Sequence, residues 1–344
     1  MRIAILSART GWHTDELCRA LLARGHSGEV LRYEQLLATM GDGVGRALRC
    51  HVGRAWSGSP GGPDEGRPTD LLEFDAVLAR IIPNGSLEQI IFRVDALHWL
   101  EDRGVRVMNS PKAIERTVDK FYTSALLHDA GLPTPQTVVC DELATAMDAV
   151  RRMGDVVIKP IFGSMGHGLV RITDPELAFR VLRPLEQMHA VFYIQRTIEH
   201  DGRDIRVFVV GNRVIGAIER RAPEGDWRTN VSRGGHARAI ELSDAYRDLA
   251  LRAARAVGTE YAGIDLLPSS DGHVFVLEVN GIPGWQGLQR ATGIDVAGAI
   301  VEHAVRPPSR GGAPEGPPRR DSAAAAGEVE AGSGQPMTAP TVTR

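Results

Sequence analysis

Three side chains with oxygen ligands lie near the carboxyl end of the sequence, in the segment 260–284. This segment predicts a strand, a polar turn and a second strand. The second strand places Glu278 and Asn280 on one face, because strand side chains alternate with a period of two. Asp265 lies in the first strand among apolar residues, where an ionised carboxylate is costly unless it is paired or bound to a cation. Two carboxylates and an amide from neighbouring strands form an all-oxygen site that suits Mg²⁺ carrying a phosphate.

Either carboxylate alone is equally compatible with a strand-end residue that faces water. Asp265, Glu278 and Asn280 together, with a Gly/Pro loop directly after Asn280, favour the metal site.

A second candidate site is the loop 163–168, which has three glycines in the sequence GSMGHG. Glycines let the backbone approach a polyphosphate and direct N–H groups at it, although glycine-rich hairpins without ligands are also common. The loop follows Lys159, which ends an apolar strand and therefore calls for an anion. Lys120, in the first turn of a helix, is a second candidate, and its alternative role is that of a solvated lysine on a helix surface.

The composition excludes several classes of protein. The chain has 344 residues and a formal net charge of −3, which predicts no general attraction to nucleic acid or to membranes. It has no apolar run of membrane-spanning length and no apolar stretch typical of a secretory signal near residue 1. Three dispersed cysteines fit a reducing compartment, so we expect a cytoplasmic protein.

The order of predicted elements divides the chain into domains. Residues 1–109 begin with a strand–helix–strand unit, which argues for a doubly wound parallel α/β domain. Within it, 41–69 reads as an irregular insertion rich in Gly, Pro, Ser and Arg. No GxGxxG follows the first strand, which argues against a dinucleotide-dependent dehydrogenase. The tail 307–344 lacks aromatic residues and is predicted to be disordered.

The motifs after residue 109 occur in an order that resembles that of the ATP-grasp ligases. Their amino-acid sequences resemble in particular those of the RimK-type glutamate ligases. The likeness extends from about 110 to 303. The segments that carry it are Lys120 with the following GLPTP, Lys159, GSMGHG, DIR at 204–206, IERRAPEGDWRTNVSRGG and LEVNGIPG.

The resemblance implies an ATP-grasp fold of the α/β (α+β) class behind the parallel-sheet domain. Residues 110–197 would form the central lid domain, and 198–306 the carboxyl-terminal domain with the metal site. The implied cofactors are ATP and two Mg²⁺ ions, with Mn²⁺ as a substitute, and the implied metal ligands are Asp265, Glu278 and Asn280.

The resemblance also implies which residues contact the nucleotide. Lys120 and Lys159 would hold the phosphates and Asp204 would lie near the ribose. Members of this family commonly have a glutamate directly after the hinge glutamine, where this chain has Arg196, so a side-chain contact from that position is not carried over. The remaining implied nucleotide contacts are the loop residues Gly163, Ser164, Met165, Gly166, His167 and Gly168 and the hinge residues Gln195, Arg196, Thr197 and Ile198. The hinge would line the adenine, mostly with backbone groups.

The implied mechanism is activation of a carboxylate as an acyl phosphate, followed by attack of an amine. Positioning and charge stabilisation dominate phosphoryl transfer, so cationic side chains are expected around the reacting groups. Arg206, Arg220 and Arg233 are assigned that role, and Asn230 and Ser232 are candidate substrate contacts. The alternative for the basic segment 220–233 is a solvated surface loop.

We therefore expect a ligase that joins an amino acid, in the first place glutamate, to an acceptor carboxylate on a small molecule, a cofactor or a protein carboxyl terminus. Alternatives are a ligase for another acid and amine, such as a dipeptide or an amino-group carrier, and a nucleotide-binding regulator without catalysis. The sequence leaves open whether the protein forms a homo-oligomer, and it does not identify the acceptor.

Overall fold

The amino-terminal part of the chain forms a parallel sheet with helices on both faces. The computed structural model describes residues 1–41, 46–51, 68–163, 168–223 and 236–306. The sheet order is β2-β1-β6-β7 and every pair in it is parallel, which confirms the predicted doubly wound domain. The elements are β1 (Arg2–Ser7), α1 (Trp12–Leu22), β2 (Ser27–Arg32), β3 (Leu36–Thr39), β4 (Ala47–His51), β5 (Pro68–Asp70), β6 (Ala76–Ala79), α2 (Leu87–Asp102) and β7 (Arg106–Met108).

A small antiparallel sheet, β3-β4-β5, corrects one prediction. The segment 41–69 is not irregular at its two ends, because β4 and most of β5 lie inside it. Leu48 and Cys50 are fully buried on one face of β4 and pack on the core with Leu31. This short alternation was hidden among the surrounding Gly, Ser and Arg residues. The positions 42–45 and 52–67 lie outside the described residues.

The rest of the chain forms two antiparallel sheets, ordered β10-β9-β11-β8 and β14-β13-β12-β15-β16. Their strands fall within the predicted segments 110–197 and 198–306. The elements are α3 (Pro111–Val118), α4 (Lys120–Asp129), β8 (Thr137–Cys140), α5 (Leu143–Met153), β9 (Val156–Lys159), β10 (Val170–Ile172), α6 (Pro175–Gln187), β11 (Phe192–Arg196), β12 (Arg203–Val210), β13 (Arg213–Arg221), β14 (His236–Ala239), α7 (Asp244–Val257), β15 (Tyr261–Pro268), β16 (Val274–Asn280), α8 (Gln286–Thr292) and α9 (Val296–Ala304).

The five-stranded sheet is buried on both faces, which explains the apolar character of its central strands. One face packs on α7, and every residue of β15 is buried. The other face joins the amino-terminal domain in a core that contains Phe208, Tyr261 and Trp285 together with α1 and α9. Carboxylates within these strands are therefore buried, and the groups that they contact determine whether they are charged.

The described residues form part of one compact unit, Met1–Arg310. Helix α4 packs against α7 and β16, so its lysine belongs spatially to the carboxyl-terminal sheet as well as to the lid segment that follows it. The domain boundaries at 109 and 197 stay predictions, and the tail 307–344 lies outside the described residues. Among the helices described, none is long and apolar enough to cross a membrane.

Candidate functional site

The register of β15 and β16 brings the predicted metal residues onto one face of the sheet. Asp265 lies opposite Glu278, and Gly263 lies opposite Asn280. Residues directly opposite each other in an antiparallel pair project to the same side. A register shift follows Asp265, and a bulge at such a position re-aims a side chain locally.

Asp265 is ion-paired with two arginines. Arg206, opposite it on β12, donates from Nε and Nη2 to the two carboxylate oxygens at 2.7 Å each, and Arg220 Nη2 lies 3.0 Å from Oδ2. Burial alone would raise the pKa of Asp265, but the charges and hydrogen bonds of the two arginines lower it to about 2. The carboxylate is thus ionised, and its oxygens keep lone pairs beyond those that the arginines use.

Arg220 extends this network to Asp204. The two residues lie opposite each other on β12 and β13 and form a bidentate pair, with Arg220 Nε donating to Asp204 Oδ1 at 2.7 Å. Both are buried, at 3% and 4% exposure. Burial lowers the pKa of Arg220, but Asp265 and Asp204 together raise it above its usual value. Asp204, predicted near the ribose, is therefore also an anchor for Arg220.

The two candidate phosphate lysines share one neighbourhood with Glu278. Lys120 Nζ donates to the carbonyl of Gly163 at 2.8 Å and to that of Ile161 at 3.3 Å, at the start of the glycine-rich loop. Burial lowers the pKa of Lys120 and lowers that of Lys159 to about 8, while the negative charge of Glu278 opposes both shifts. Within the described part of the chain, the Glu278 side chain forms no hydrogen bond or ion pair.

Lys159 is held by a series of hydrogen-bonded side chains, of which the sequence predicted Gln195 as a site residue but not Thr137, Tyr193 or Ser124. Its Nζ donates to Gln195 Oε1 at 2.6 Å, and Gln195 Nε2 donates to Thr137 Oγ1 at 3.0 Å and to the Tyr193 hydroxyl at 3.2 Å. The Tyr193 hydroxyl lies 2.8 Å from Ser124 Oγ on α4. This series of hydrogen bonds connects α4, the helix of Lys120, to β9, the strand of Lys159. Tyr193 and Ser124 belong to no motif, so nothing in the sequence pointed to them.

The predicted hinge connects β11 to the next sheet. Arg196 has an exposed side chain, while its backbone N–H donates to the Gln136 carbonyl at 2.8 Å. Thr197 Oγ1 donates to Asp155 Oδ1 at 2.7 Å, and Ile198 is half-buried. These contacts fix the hinge backbone, which suits the predicted recognition of adenine through backbone groups.

In the glycine-rich loop, Gly163 and Gly168 are described. Gly168 has a φ of 74°, a left-handed conformation that glycine adopts without the penalty of a Cβ. The following predicted loop and substrate residues lie outside the described part of the chain: Ser164, Met165, Gly166, His167, Asn230, Ser232 and Arg233.

The donor set fits Mg²⁺ in chemistry. Among the described residues no group of three or more His, Cys, Asp or Glu side chains could hold a metal, so the candidate site consists of two carboxylates and one amide. Glu278 is the available carboxylate, whereas Asn280 Oδ1 already accepts from the Ile282 N–H at 3.0 Å. All three provide hard oxygen ligands, which Mg²⁺ prefers.

The chain is similar in sequence to known proteins over most of its length. The model of the RimK-like ATP-grasp domain matches residues 117–304. A tetrahydromethanopterin:alpha-L-glutamate ligase of Methanosarcina acetivorans is 39% identical over 260 residues, covering 68% of this chain and 80% of that protein. A probable alpha-L-glutamate ligase of Legionella pneumophila is 32% identical, covering 88% of this chain and 95% of that protein.

A solved structure shares the fold over most of the chain. The ATP-grasp ligase PsnB, complexed with a minimal precursor, superimposes with a TM-score of 0.65 at 25% identity, covering 87% of this chain and 97% of that one. The predicted fold class and the predicted family are both confirmed. The chain belongs to the RimK-like ATP-grasp family and is an ATP-dependent ligase.

Proposed function

We propose that this protein is a carboxylate–amine ligase that joins the amine of L-glutamate, or of a similar amino acid, to an acceptor carboxylate with consumption of ATP. The observation that carries the proposal is the convergence of Lys120, Lys159 and Glu278 next to the Asp265 carboxylate. Two lysines that meet beside carboxylates provide both the cations for a triphosphate and the ligands for its metal.

Asp265, Glu278 and Asn280 would hold the magnesium. The ion supplies charge neutralisation between the phosphates and the reacting oxygen when it is bound. The role of the chain is to hold these ligands on adjacent strands. Arg206 and Arg220 keep Asp265 ionised and oriented, so we assign Arg220 a positioning role through Asp204 and Asp265.

The substrates would react in two steps. The acceptor carboxylate attacks the γ-phosphate to give an acyl phosphate and ADP, and the amine of the amino acid then displaces phosphate to form the amide. We assign Arg206, whose side chain is 18% exposed, to contact the developing negative charge. The family resemblance implies the same role for Arg233, which lies outside the described residues.

The names of the relatives support glutamate as the amino acid, but they are compatible with several kinds of acceptor. Two curated relatives are named for glutamate ligation, one of them with tetrahydromethanopterin, while PsnB was solved with a peptide precursor. We favour a cofactor-like small acceptor, because the pterin ligase shares 39% identity with this chain and PsnB shares 25%.

The test is ADP release coupled to product formation. Candidate acceptors are incubated with the protein, ATP, Mg²⁺ and glutamate, and products are followed by mass spectrometry. The proposal expects ADP release that requires Mg²⁺, glutamate and one acceptor together, with a product heavier by one or more glutamate residues. ATP hydrolysis that ignores every acceptor and amino acid would contradict it.

The variant Asp265→Asn tests the metal assignment within the same assay. It removes the charge that faces Arg206 and Arg220, so turnover should fall by at least about a hundredfold, as for other lost electrostatic groups of an active site. Circular dichroism and the melting temperature check that the fold is kept. Near-normal turnover in this variant would remove Asp265 from the site.

A further inference from the structure

Two arginines of the amino-terminal domain are buried without an acidic partner among the described residues. Arg80 follows β6 and Arg93 lies on α2, and they are 3% and 6% exposed. Arg80 donates to the Tyr261 hydroxyl and to the Pro283 carbonyl at 3.2 Å each, and Arg93 donates to the Pro83 carbonyl at 2.7 Å. Within the described residues neither guanidinium forms an ion pair. Arg80 also lies over the Trp285 ring, 4.7 Å from its centroid. A buried guanidinium without a counter-charge is costly, so both side chains would favour an anion beside them.

A third polar group beside them has no hydrogen-bond partner in the described part of the chain. The Tyr33 hydroxyl is buried, the residue is 1% exposed, and no described group hydrogen-bonds to it. The Tyr33 hydroxyl interacts electrostatically with the guanidinium groups of Arg80 and Arg93 and with Tyr261. A buried hydroxyl without a hydrogen bond is destabilising, so its presence here calls for an explanation.

The position of these groups in the sheet is that of a ligand site. Tyr33 follows β2 and Arg80 follows β6, so both lie beyond the carboxyl ends of strands that flank β1. The chain leaves β1 toward β2 on one side and has β6 on the other, which makes this the point where the strand order reverses. In open α/β sheets, ligands bind outside the carboxyl ends of the strands at this point.

We propose that Arg80, Arg93 and the Tyr33 hydroxyl form a subsite for an anionic group, a carboxylate or a phosphate, of the acceptor substrate. The two guanidinium groups supply the charge and the tyrosine supplies a neutral donor. The anion enters beside the exposed residues of the segment 81–85, which connects Arg80 to α2. The group is a second anion of the acceptor, distinct from the carboxylate that reacts.

The subsite adjoins the proposed reaction site. Arg80 bonds to Pro283 in the loop that directly follows Asn280 at the end of β16. One molecule can therefore extend from the metal ligands to the arginines. The assignment of the anion to the acceptor rests on the proposed function, whereas anion binding by these three residues does not.

Titration calorimetry with two probes, inorganic phosphate and glutarate, tests the subsite. The protein is first saturated with AMP-PNP and Mg²⁺, so that Lys120 and Lys159 are already occupied, and ionic strength is held constant. Tyr33→Phe keeps the ring and removes only the hydroxyl, and Arg93→Gln removes one charge. The matched control is Arg103→Gln, which removes an exposed arginine from the end of the same helix.

We expect at least one probe to bind the wild-type protein, and both site variants to weaken it by about tenfold, equivalent to about 1.4 kcal/mol. The control should bind as the wild type does. The probe that binds more tightly identifies the anion as carboxylate or phosphate. Unchanged binding in Tyr33→Phe together with a higher melting temperature would overturn the proposal, because a purely structural orphan hydroxyl behaves in that way. Absence of binding by both probes would also overturn it.

A failure of the ligase assay with intact anion binding would refute the proposed function and leave the anion site standing. In a preparation that is active in the ligase assay, the kinetics of Tyr33→Phe test whether the bound anion belongs to the acceptor. There, Tyr33→Phe should raise the KM of the acceptor and leave the KM values of ATP and glutamate unchanged. An unchanged acceptor KM would separate the anion from the acceptor and overturn that part of the inference.

Discussion

Lys159 is the titratable group of the candidate site whose protonation state is most open to change. Its pKa of about 8 in the free protein means that about half of the amines are charged at pH 8. A bound polyphosphate favours the charged form and raises this pKa. The site should therefore take up protons as the nucleotide binds.

The prediction is an uptake of about half a proton on binding AMP-PNP at pH 8 and close to none at pH 6.5. Calorimetry in two buffers with different ionisation enthalpies measures it. Lys159→Gln should abolish the uptake, and Lys112→Gln, which alters an exposed lysine, should not. Equal uptake in Lys159→Gln and in the wild type would show that another group titrates.

At the scale of single residues, the sequence predicted which side chains lie in the candidate site, and the structure adds the contacts between them. The alternation in β16 was enough to put Glu278 and Asn280 on one face. The ion pair between Asp265 and Arg206 depends on the register of β12 against β15, which are 59 positions apart at these residues and carry no local signal. The contact from Lys159 to Gln195 likewise depends on the pairing of β9 with β11.

At the scale of the elements, Asn109 joins the amino-terminal sheet to the carboxyl-terminal one. It follows β7 and is fully buried. Its Nδ2 donates to the carbonyls of Tyr261 at 2.8 Å and Gly281 at 2.6 Å, and its Oδ1 accepts from the backbone N–H groups of Glu260 and Tyr261. One side chain thus fixes the start of β15 and the loop after β16 to the end of a parallel strand.

Asn109→Ala should lower the free energy of unfolding by roughly 1–3 kcal/mol or more, because it leaves buried backbone groups without partners. Urea denaturation followed by circular dichroism measures the change. Asn212→Ala, at the exposed turn between β12 and β13, is the control and should stay within about 0.5 kcal/mol of the wild type. A wild-type denaturation midpoint for Asn109→Ala would contradict this role.

Helices with long, regular patterns were predictable, and some of the short elements were not. The sequence predicts helices at about 86–102, 174–187 and 244–257, and α2, α6 and α7 lie within one residue of these bounds. Their apolar spacing is sustained over several turns. Strand β4 and helix α8 were missed. Each has five to seven residues, and α8 begins after Trp285 with no side-chain cap. The sequence predicts a helix that is capped at Thr117 or in the preceding turn and runs through Leu127. In the structure Asp119 is the cap, and the helix extends from Lys120 to Asp129.

At the scale of the whole molecule, the order of the sheets follows the order of the predicted domains, and the contacts between them could not be read from the sequence. The core shared by α1, α9 and the five-stranded sheet contains Trp12, His13 and Trp285. His13 accepts from the Trp285 N–H at 3.2 Å, and burial with the charges of Arg80 and Arg9 lowers its pKa to about 4. These residues are 272 positions apart, so only the folded chain brings them together.

The composition of the tail leads to a prediction for the full chain. Residues 307–344 have few apolar side chains and many Pro, Gly, Ala and Ser, which argues that they add no buried surface to the domain. A protein truncated after Pro307 should keep its melting temperature and its nucleotide affinity. Differential scanning calorimetry and AMP-PNP titration measure both, and a large loss of either would show that the tail contributes to the fold or the site.

The central claim is that two lysines and the acidic pair on β15 and β16 form one magnesium–nucleotide site, and the magnesium dependence of AMP-PNP affinity tests it most directly. The wild-type protein should bind AMP-PNP more tightly with Mg²⁺ than without it. Glu278→Gln should lose this gain while its metal-free binding is kept or strengthened, because removal of a negative charge beside Lys120 and Lys159 favours the phosphates. Glu176→Gln, at an exposed position on α6, serves as the control. An undiminished effect of Mg²⁺ in Glu278→Gln would contradict the account.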